Sequence, residues 1–165
     1  VEGMGSYFSL AAYFTDLDGG DGGGWKELRT AASCDGCRAC IRNCPTGAIR
    51  EGRFLIDNER CLSCLNERGG DFPAWLPKSA HHGVYDCLRC QNVCPMNRPF
   101  SLNVPELFRF NDEETGMILA GRGVESFPPE LKRKAMRLGL HRWPEGIPRN
   151  LRILFETLGT PSARS

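Results

Sequence analysis

The hydrophobic and polar positions of this chain change period twice along its length. Between Tyr7 and Phe14, the residues Phe8, Leu10, Ala12 and Phe14 alternate with Tyr7, Ser9, Ala11 and Tyr13. Apolar residues at both sets of a period-two pattern predict a strand covered on two faces, with a short buried helix as the alternative. The glycine-rich run 19–24 predicts a flexible loop, and no Lys-Ser/Thr follows in register to make it a phosphate loop. Trp25 to Ala32 can form a short helix. Further on, Thr46–Ile49 and Arg53–Ile56 flank Glu51-Gly52, a pattern that predicts a β-hairpin. Residues 65–86, with Trp75, Pro73 and Pro77, predict an ordered but irregular loop.

The last third takes the helical period. Asn111, with Glu114 three residues on, predicts a capped helix that Gly121 stops. Pro128-Pro129 opens a second helix that ends near Gly139. Leu151, Leu154, Phe155 and Leu158 fall at i, i+3, i+4 and i+7 of a third, over 147–158, with Gly159 and Pro161 as its stop. These helices predict an apolar wall for whatever small core precedes them.

Composition narrows the classes. A chain of 165 residues makes one domain, or a compact module of a larger protein. With 21 Lys+Arg against 20 Asp+Glu there is no global field that would draw it to nucleic acid or to a membrane. The longest apolar run is far short of a membrane span. An apolar segment follows Val1 almost at once, which leads us to expect further residues upstream. One local bias remains: Lys132, Arg133, Lys134, Arg137, His141, Arg142, Arg149 and Arg152 run with Glu145 as the only acid among them. The solvated face of a helix accounts for such a run first.

The chemistry lies in nine cysteines. Cys34, Cys37, Cys40 and Cys44-Pro45 make C-x2-C-x2-C-x3-C-P, the run with which bacterial ferredoxins hold iron–sulfur clusters. Three thiolates two residues apart can cap three corners of one cubane, while the fourth leaves on a helix toward a second cluster. Cys87, Cys90 and Cys94-Pro95 repeat the ending of that run without its leading Cys, and Cys61 and Cys64 lie upstream. Crossed ligation then gives Cys34, Cys37, Cys40 and Cys94 to cluster one, and Cys44, Cys87, Cys90 and either Cys61 or Cys64 to cluster two. A disulfide framework fits poorly, since the cysteine count is odd and no signal peptide opens the sequence. Zinc knuckles are the stronger alternative, but they close on four ligands in pairs and have no use for a crowded triple and a lone Cys-Pro. His81 and His82 in a polar loop and His141 in the basic helix are poor ligand candidates. Reduced thiolates predict a reducing, cytoplasmic setting. The fold class expected is α+β: a two-cluster ferredoxin-like core over 25–100, an N-terminal strand and Gly-rich loop over 1–24, and a helical segment over 101–165.

Gly5-Ser6-Tyr7-Phe8, Leu10 and Thr15-Asp16-Leu17, then 83–97 with its Cys94-Pro-Met-Asn97 ending, then Arg149-Asn150-Leu151, together resemble the epoxyqueuosine reductase family. The resemblance covers nearly all of this chain and the C-terminal half of the family's protein. It implies two [4Fe–4S] clusters with Cys61 as the fourth ligand of cluster two, and a cobalamin held mainly by the upstream half. It also implies reduction of epoxyqueuosine in a tRNA, with electrons from a flavodoxin- or ferredoxin-type donor and tRNA phosphates against the basic 132–152 region. Reductive dehalogenases are relatives with a similar cluster arrangement, and a free-standing ferredoxin-type carrier is the competing reading.

Overall fold

The computed structural model describes residues 5–8, 11–17, 31–52, 55–100 and 106–158. Six α-helices follow in order: α1 (Ala39–Asn43), α2 (Leu62–Glu67), α3 (Arg89–Asn92), α4 (Asp112–Leu119), α5 (Pro129–Arg137) and α6 (Gly146–Leu158). Single 3-10 turns at Ala32–Cys34, Lys78–Ala80, Pro95–Asn97, Val124–Ser126 and Leu140–Arg142 punctuate them. Among the described residues there is no strand, and the fold is helical.

This corrects the expected α+β ferredoxin-like class. Of the strand predicted over 7–14, residues 9 and 10 lie outside the described residues. The rest runs without a ladder, and Tyr13 and Phe14 stand in solvent. A strand requires a neighbour whose N–H and C=O groups meet its own, and among the described residues none does. Side chains hold the segment instead. Ser6 N–H donates to Asn97 Oδ1 and Asn97 Nδ2 to Ser6 Oγ, both at 2.7 Å, and the Tyr7 hydroxyl donates to Asn92 Oδ1 at 2.6 Å. The hairpin about Glu51-Gly52 comes down to one antiparallel bridge, Ile49 with Ile56, beside a single Asp57 N–H to Ala48 C=O bond. Arg53 and Phe54 lie outside the described residues, as do the glycine run 19–24, residues 25–30 of the helix expected over 25–32, and the stop at Gly159 and Pro161. Where that helix should end, Ala32–Cys34 forms a 3-10 turn.

The expected C-terminal helices are present, and their caps explain them. Asn111 accepts from Glu114 N–H while the Glu114 carboxylate accepts from Asn111 N–H, so two orphan donors at the start of α4 are satisfied reciprocally. Pro129 sits at the first position of α5, where its missing N–H costs nothing. Leu131 and Ala135 of α5 are fully buried and, with Ile118, Phe127 and Ile147, form the core of this half. Burying a leucine this completely contributes about 2 kcal/mol. A smaller core, Leu62, Leu65, Leu76 and Ala80, lies under the 65–86 loop.

A polar seam joins the two cores. Asn150 on α6 is fully buried and donates to Asn66 C=O (2.8 Å) and Val84 C=O (2.6 Å). Next to it, Arg149 donates to Leu65 C=O (2.8 Å) and Gly70 C=O, and its guanidinium lies 3.7 Å over the Phe72 ring. The α6 backbone comes so close that a Cβ on Gly146 would stand 2.5 Å from Asn66 O, which only glycine permits.

Candidate metal centre

Each cysteine run folds into a short helix, and the two helices pack on one another. α1 carries Cys40 and α3 carries Cys90, and α1 rests against α3. Cys44 and Cys94 each follow their helix in extended backbone, and a proline comes next in both cases. All nine thiols are free and half-buried.

Four of them meet. Cys44, Cys61, Cys87 and Cys90, from three separated segments, line one cleft together with Pro45, Thr46, Ala48, Ile49, Ile56, Leu62 and Leu88. The cleft holds about 170 Å³ and opens to solvent. These thiols feel one another. Burial pushes Cys90 up, and the charges of Cys87, Cys44 and Cys61 add to that. Burial likewise pushes Cys87 up, opposed by the Arg89 N–H and reinforced by Cys61 and Cys44. Cys44 behaves differently. Burial would raise it, but the N–H groups of Thr46, Ile49 and Ala48 and the Thr46 hydroxyl outweigh that and hold it below the ordinary thiol range. Ala48 N–H lies 3.2 Å from its sulfur and Thr46 Oγ1 3.6 Å. A thiolate at this position is therefore stabilised before any ligand arrives.

Cys64, the ninth, is absent from the cleft lining and sits beside Arg68. The other four candidates, Cys34, Cys37, Cys40 and Cys94, lie on segments that converge. Ser33 Oγ donates to Met96 Sδ at 2.9 Å, joining the head of the first run to the tail of the second, and α1 against α3 brings up Cys40.

The donor set suits a cubane. Four thiols around one cleft are the number and kind of donors that a cubane takes, one sulfur to each iron corner. Neither His81 nor His82 lines the cleft. His82 bridges Ala80 C=O and Cys87 C=O, and buried His81 meets Phe72 edge-on at 4.5 Å.

The backbone around Cys87 gave no sequence signal, and the burial of Asn97 gave none beyond its place in the Cys94-Pro-Met-Asn97 ending. Asp86 and Leu88 both take φ of +54°, a left-handed backbone that bulky residues avoid, and they flank Cys87. Asn97, two residues after Cys94-Pro, is fully buried as the hub that binds Ser6. The Thr46 and Ala48 contacts were legible only as the Cys44-Pro-Thr-Gly run itself.

The basic run divides into paired and unpaired cations. Lys132 pairs with Glu125, Arg133 with Glu130 and Lys134 with Glu114, while Arg149 and Arg152 donate to carbonyls. Arg137 and Arg142 make no ion pair among the described residues. No helix of the described residues is long and apolar enough to cross a membrane.

Residues 33–97 match the 4Fe-4S double cluster binding domain. The chain is similar to the epoxyqueuosine reductase of Shewanella oneidensis, 44% identical over 126 residues that cover 73% of this chain and 32% of that protein. It is 33% identical over 132 residues to the epoxyqueuosine reductase of Escherichia coli K12, covering 69% of this chain and 35% of that one. Among solved structures, the fold is like that of epoxyqueuosine reductase from Streptococcus thermophilus, with a TM-score of 0.54 at 22% identity over 81% of this chain and 34% of that one. The chain thus spans about a third of the length of the curated relatives it matches. By sequence and by fold, the chain is similar to a part of the epoxyqueuosine reductases, and within it residues 33–97 carry the 4Fe-4S double cluster binding domain.

Proposed function

We propose that this chain carries electrons through two [4Fe–4S] clusters inside an epoxyqueuosine-reductase-like oxidoreductase. Cluster two is held by Cys44, Cys61, Cys87 and Cys90. Cluster one is held by Cys34, Cys37, Cys40 and Cys94, so each run lends its last thiol to the other. The observation that carries the reading is the single cleft lined by four thiols from three segments. Each bound cluster supplies one-electron transfer. The chain's own residues do the rest. Thr46 and Ala48 stabilise the Cys44 thiolate, and Ile49, Ile56 and Leu62 keep the cleft wall apolar.

On this reading, the reduction of epoxyqueuosine in a tRNA and the cobalamin belong to the whole protein, through the part of the relatives that the chain does not span. The donor is a flavodoxin- or ferredoxin-type protein, and the setting is cytoplasmic, where thiolates stay reduced. A tRNA contact on the basic region would fall to Arg137, His141 and Arg142, since the neighbouring cations already have acid or carbonyl partners. Phosphate contacts of that kind would weaken as salt rises.

The test is metal content. Anaerobic purification should yield about eight iron and eight acid-labile sulfide per chain. Cys94→Ser should halve the iron by damaging the cluster held by Cys34, Cys37 and Cys40. Stoichiometric zinc without sulfide would overturn the reading, and an undamaged first cluster in Cys94→Ser would overturn the crossed assignment.

A further inference from the structure

Four thiols line the cleft, and one of them is met differently from the other three. Among the described residues, Thr46 is the one side chain whose donor reaches a cleft sulfur: its Oγ1 lies 3.6 Å from Cys44 Sγ. Ser63 also lines the cleft, but its hydroxyl donates to Asp86 Oδ1 at 3.4 Å. Thr46 is 6% exposed. A hydroxyl buried so far needs a hydrogen-bond partner inside the protein, and among the described residues the Cys44 sulfur is the partner it has. A ligating thiolate has no proton to give, so in the loaded protein the hydroxyl donates and the sulfur accepts.

The turn after Cys44 holds this contact in place. Gly47 N–H donates to Cys44 C=O at 3.4 Å, and Gly47 takes φ of +65°, in the left-handed region that favours glycine. That reversal brings Ala48 N–H to 3.2 Å from the same sulfur. Both ends are pinned from outside: Arg60 Nε donates to Thr46 C=O at 3.1 Å, and Asp57 N–H to Ala48 C=O at 2.9 Å. The second cysteine run lacks the device. It too carries Cys94-Pro95, but Met96 stands where the first run has Thr46, and Met96 Sδ accepts from Ser33 Oγ at 2.9 Å. A thioether has no proton to donate. The next side chain, Asn97, turns its amide to Ser6 Oγ and Gln91 C=O, both at 2.7 Å.

We infer that Thr46 is a potential-setting residue: its hydroxyl, acting through the Cys44 sulfur, raises the reduction potential of the cluster held at the cleft. The inference rests on the cluster reading above and adds which side chain tunes one of the two clusters. One electron arrives from the reduced donor, and no bond forms or breaks. That electron adds negative charge to the ligand sulfurs. A donor aimed at one of them stabilises the reduced state more than the oxidised state, which moves the midpoint upward.

The experiment is an anaerobic redox titration of the cluster-loaded protein, poised with dithionite and mediators and read by electron paramagnetic resonance. Thr46→Val removes the hydroxyl and keeps the shape, and it should still load about eight iron atoms. It should lower the midpoint of the cluster that is missing from Cys61→Ala and leave the other midpoint at its wild-type value. Thr46→Ser, which keeps the donor, should stay near the wild type. Two unmoved midpoints in fully loaded Thr46→Val overturn the inference and leave the cluster reading standing. An equal shift in Thr46→Ser also overturns it, since the effect would then come from the lost methyl group. A shift of the other midpoint alone does the same. If Thr46→Val and Thr46→Ala each load one cluster only, the hydroxyl serves assembly rather than potential, and the inference falls. A wild type with no reducible clusters overturns both the inference and the cluster reading.

Discussion

The two halves of this molecule are held together by different physics. In the helical half, 106–158, apolar burial dominates: Leu131 and Ala135 are sealed by Ile118, Phe127 and Ile147, and capping side chains close the helix ends. In the cysteine half, 31–100, the helices are four to six residues long and the wholly apolar buried set is small. Helices that short do not persist on their own. Tight turns, left-handed residues at 86 and 88 and the thiol-lined cleft shape this half instead. The helical half carries its stability in its side chains, whereas the cysteine half is organised around a ligand and leans on its neighbour through the seam.

The sharpest way to break that comparison is to remove a thiol. Cys61→Ala should cost one cluster, seen as loss of about four iron atoms, and leave the helical half folded by circular dichroism. Cys64→Ala should keep both clusters, because that thiol lies beside Arg68 rather than in the cleft. Equal iron loss in both variants would refute the assignment.

Next in size is the converse change. Leu131→Ala should destabilise the protein by about 3 kcal/mol in thermal or denaturant unfolding, with iron content and cluster spectra unaltered in the folded protein. Parallel loss of iron would show that the cysteine half depends on that core more than its contacts imply. At the seam, Asn150→Ala should cost about 2 kcal/mol by removing the amide that donates to the Asn66 and Val84 carbonyls. Here both halves should respond together, which a double variant with Leu131→Ala would read as non-additivity.

The smallest effect is a pH dependence. Burial, with the Arg149 charge and His82 behind it, holds His81 below the ordinary histidine range. The unfolded chain takes up a proton near pH 6.5 that the folded chain refuses, so stability should be lost as pH falls below that value. His81→Phe should flatten the unfolding midpoint between pH 5 and 7, and an unchanged slope would place the titration elsewhere.

How much of this was legible depended on whether the signal was local. The capping box at Asn111 and Glu114, Pro129 and the i, i+3, i+4 pattern through Phe155 each act within one or two turns, and each produced the helix it predicts. The cysteine spacing pointed to the right chemistry for the same reason. The strand over 7–14 failed because alternation records which faces are apolar and says nothing of whether a neighbour exists to pair with. Arg149 was counted with a surface charge run, yet it is half-buried over Phe72. Sequence distance hid the loop carbonyls it serves, 79 to 84 residues away. The seam and the Asn97 hub are contacts of this long-range kind.

Asn97 also bears on anyone who would cut this protein into a portable electron-transfer cassette. The domain match begins at residue 33 and ends at 97, and scissors placed there would keep every cysteine. They would also discard Ser6, whose N–H and hydroxyl serve the Asn97 amide, and Gly5, the residue small enough to pass beneath it. The excised piece would keep its thiols and lose the wedge that holds the last turn of the second run. A cassette that keeps this wedge must include Gly5 and Ser6.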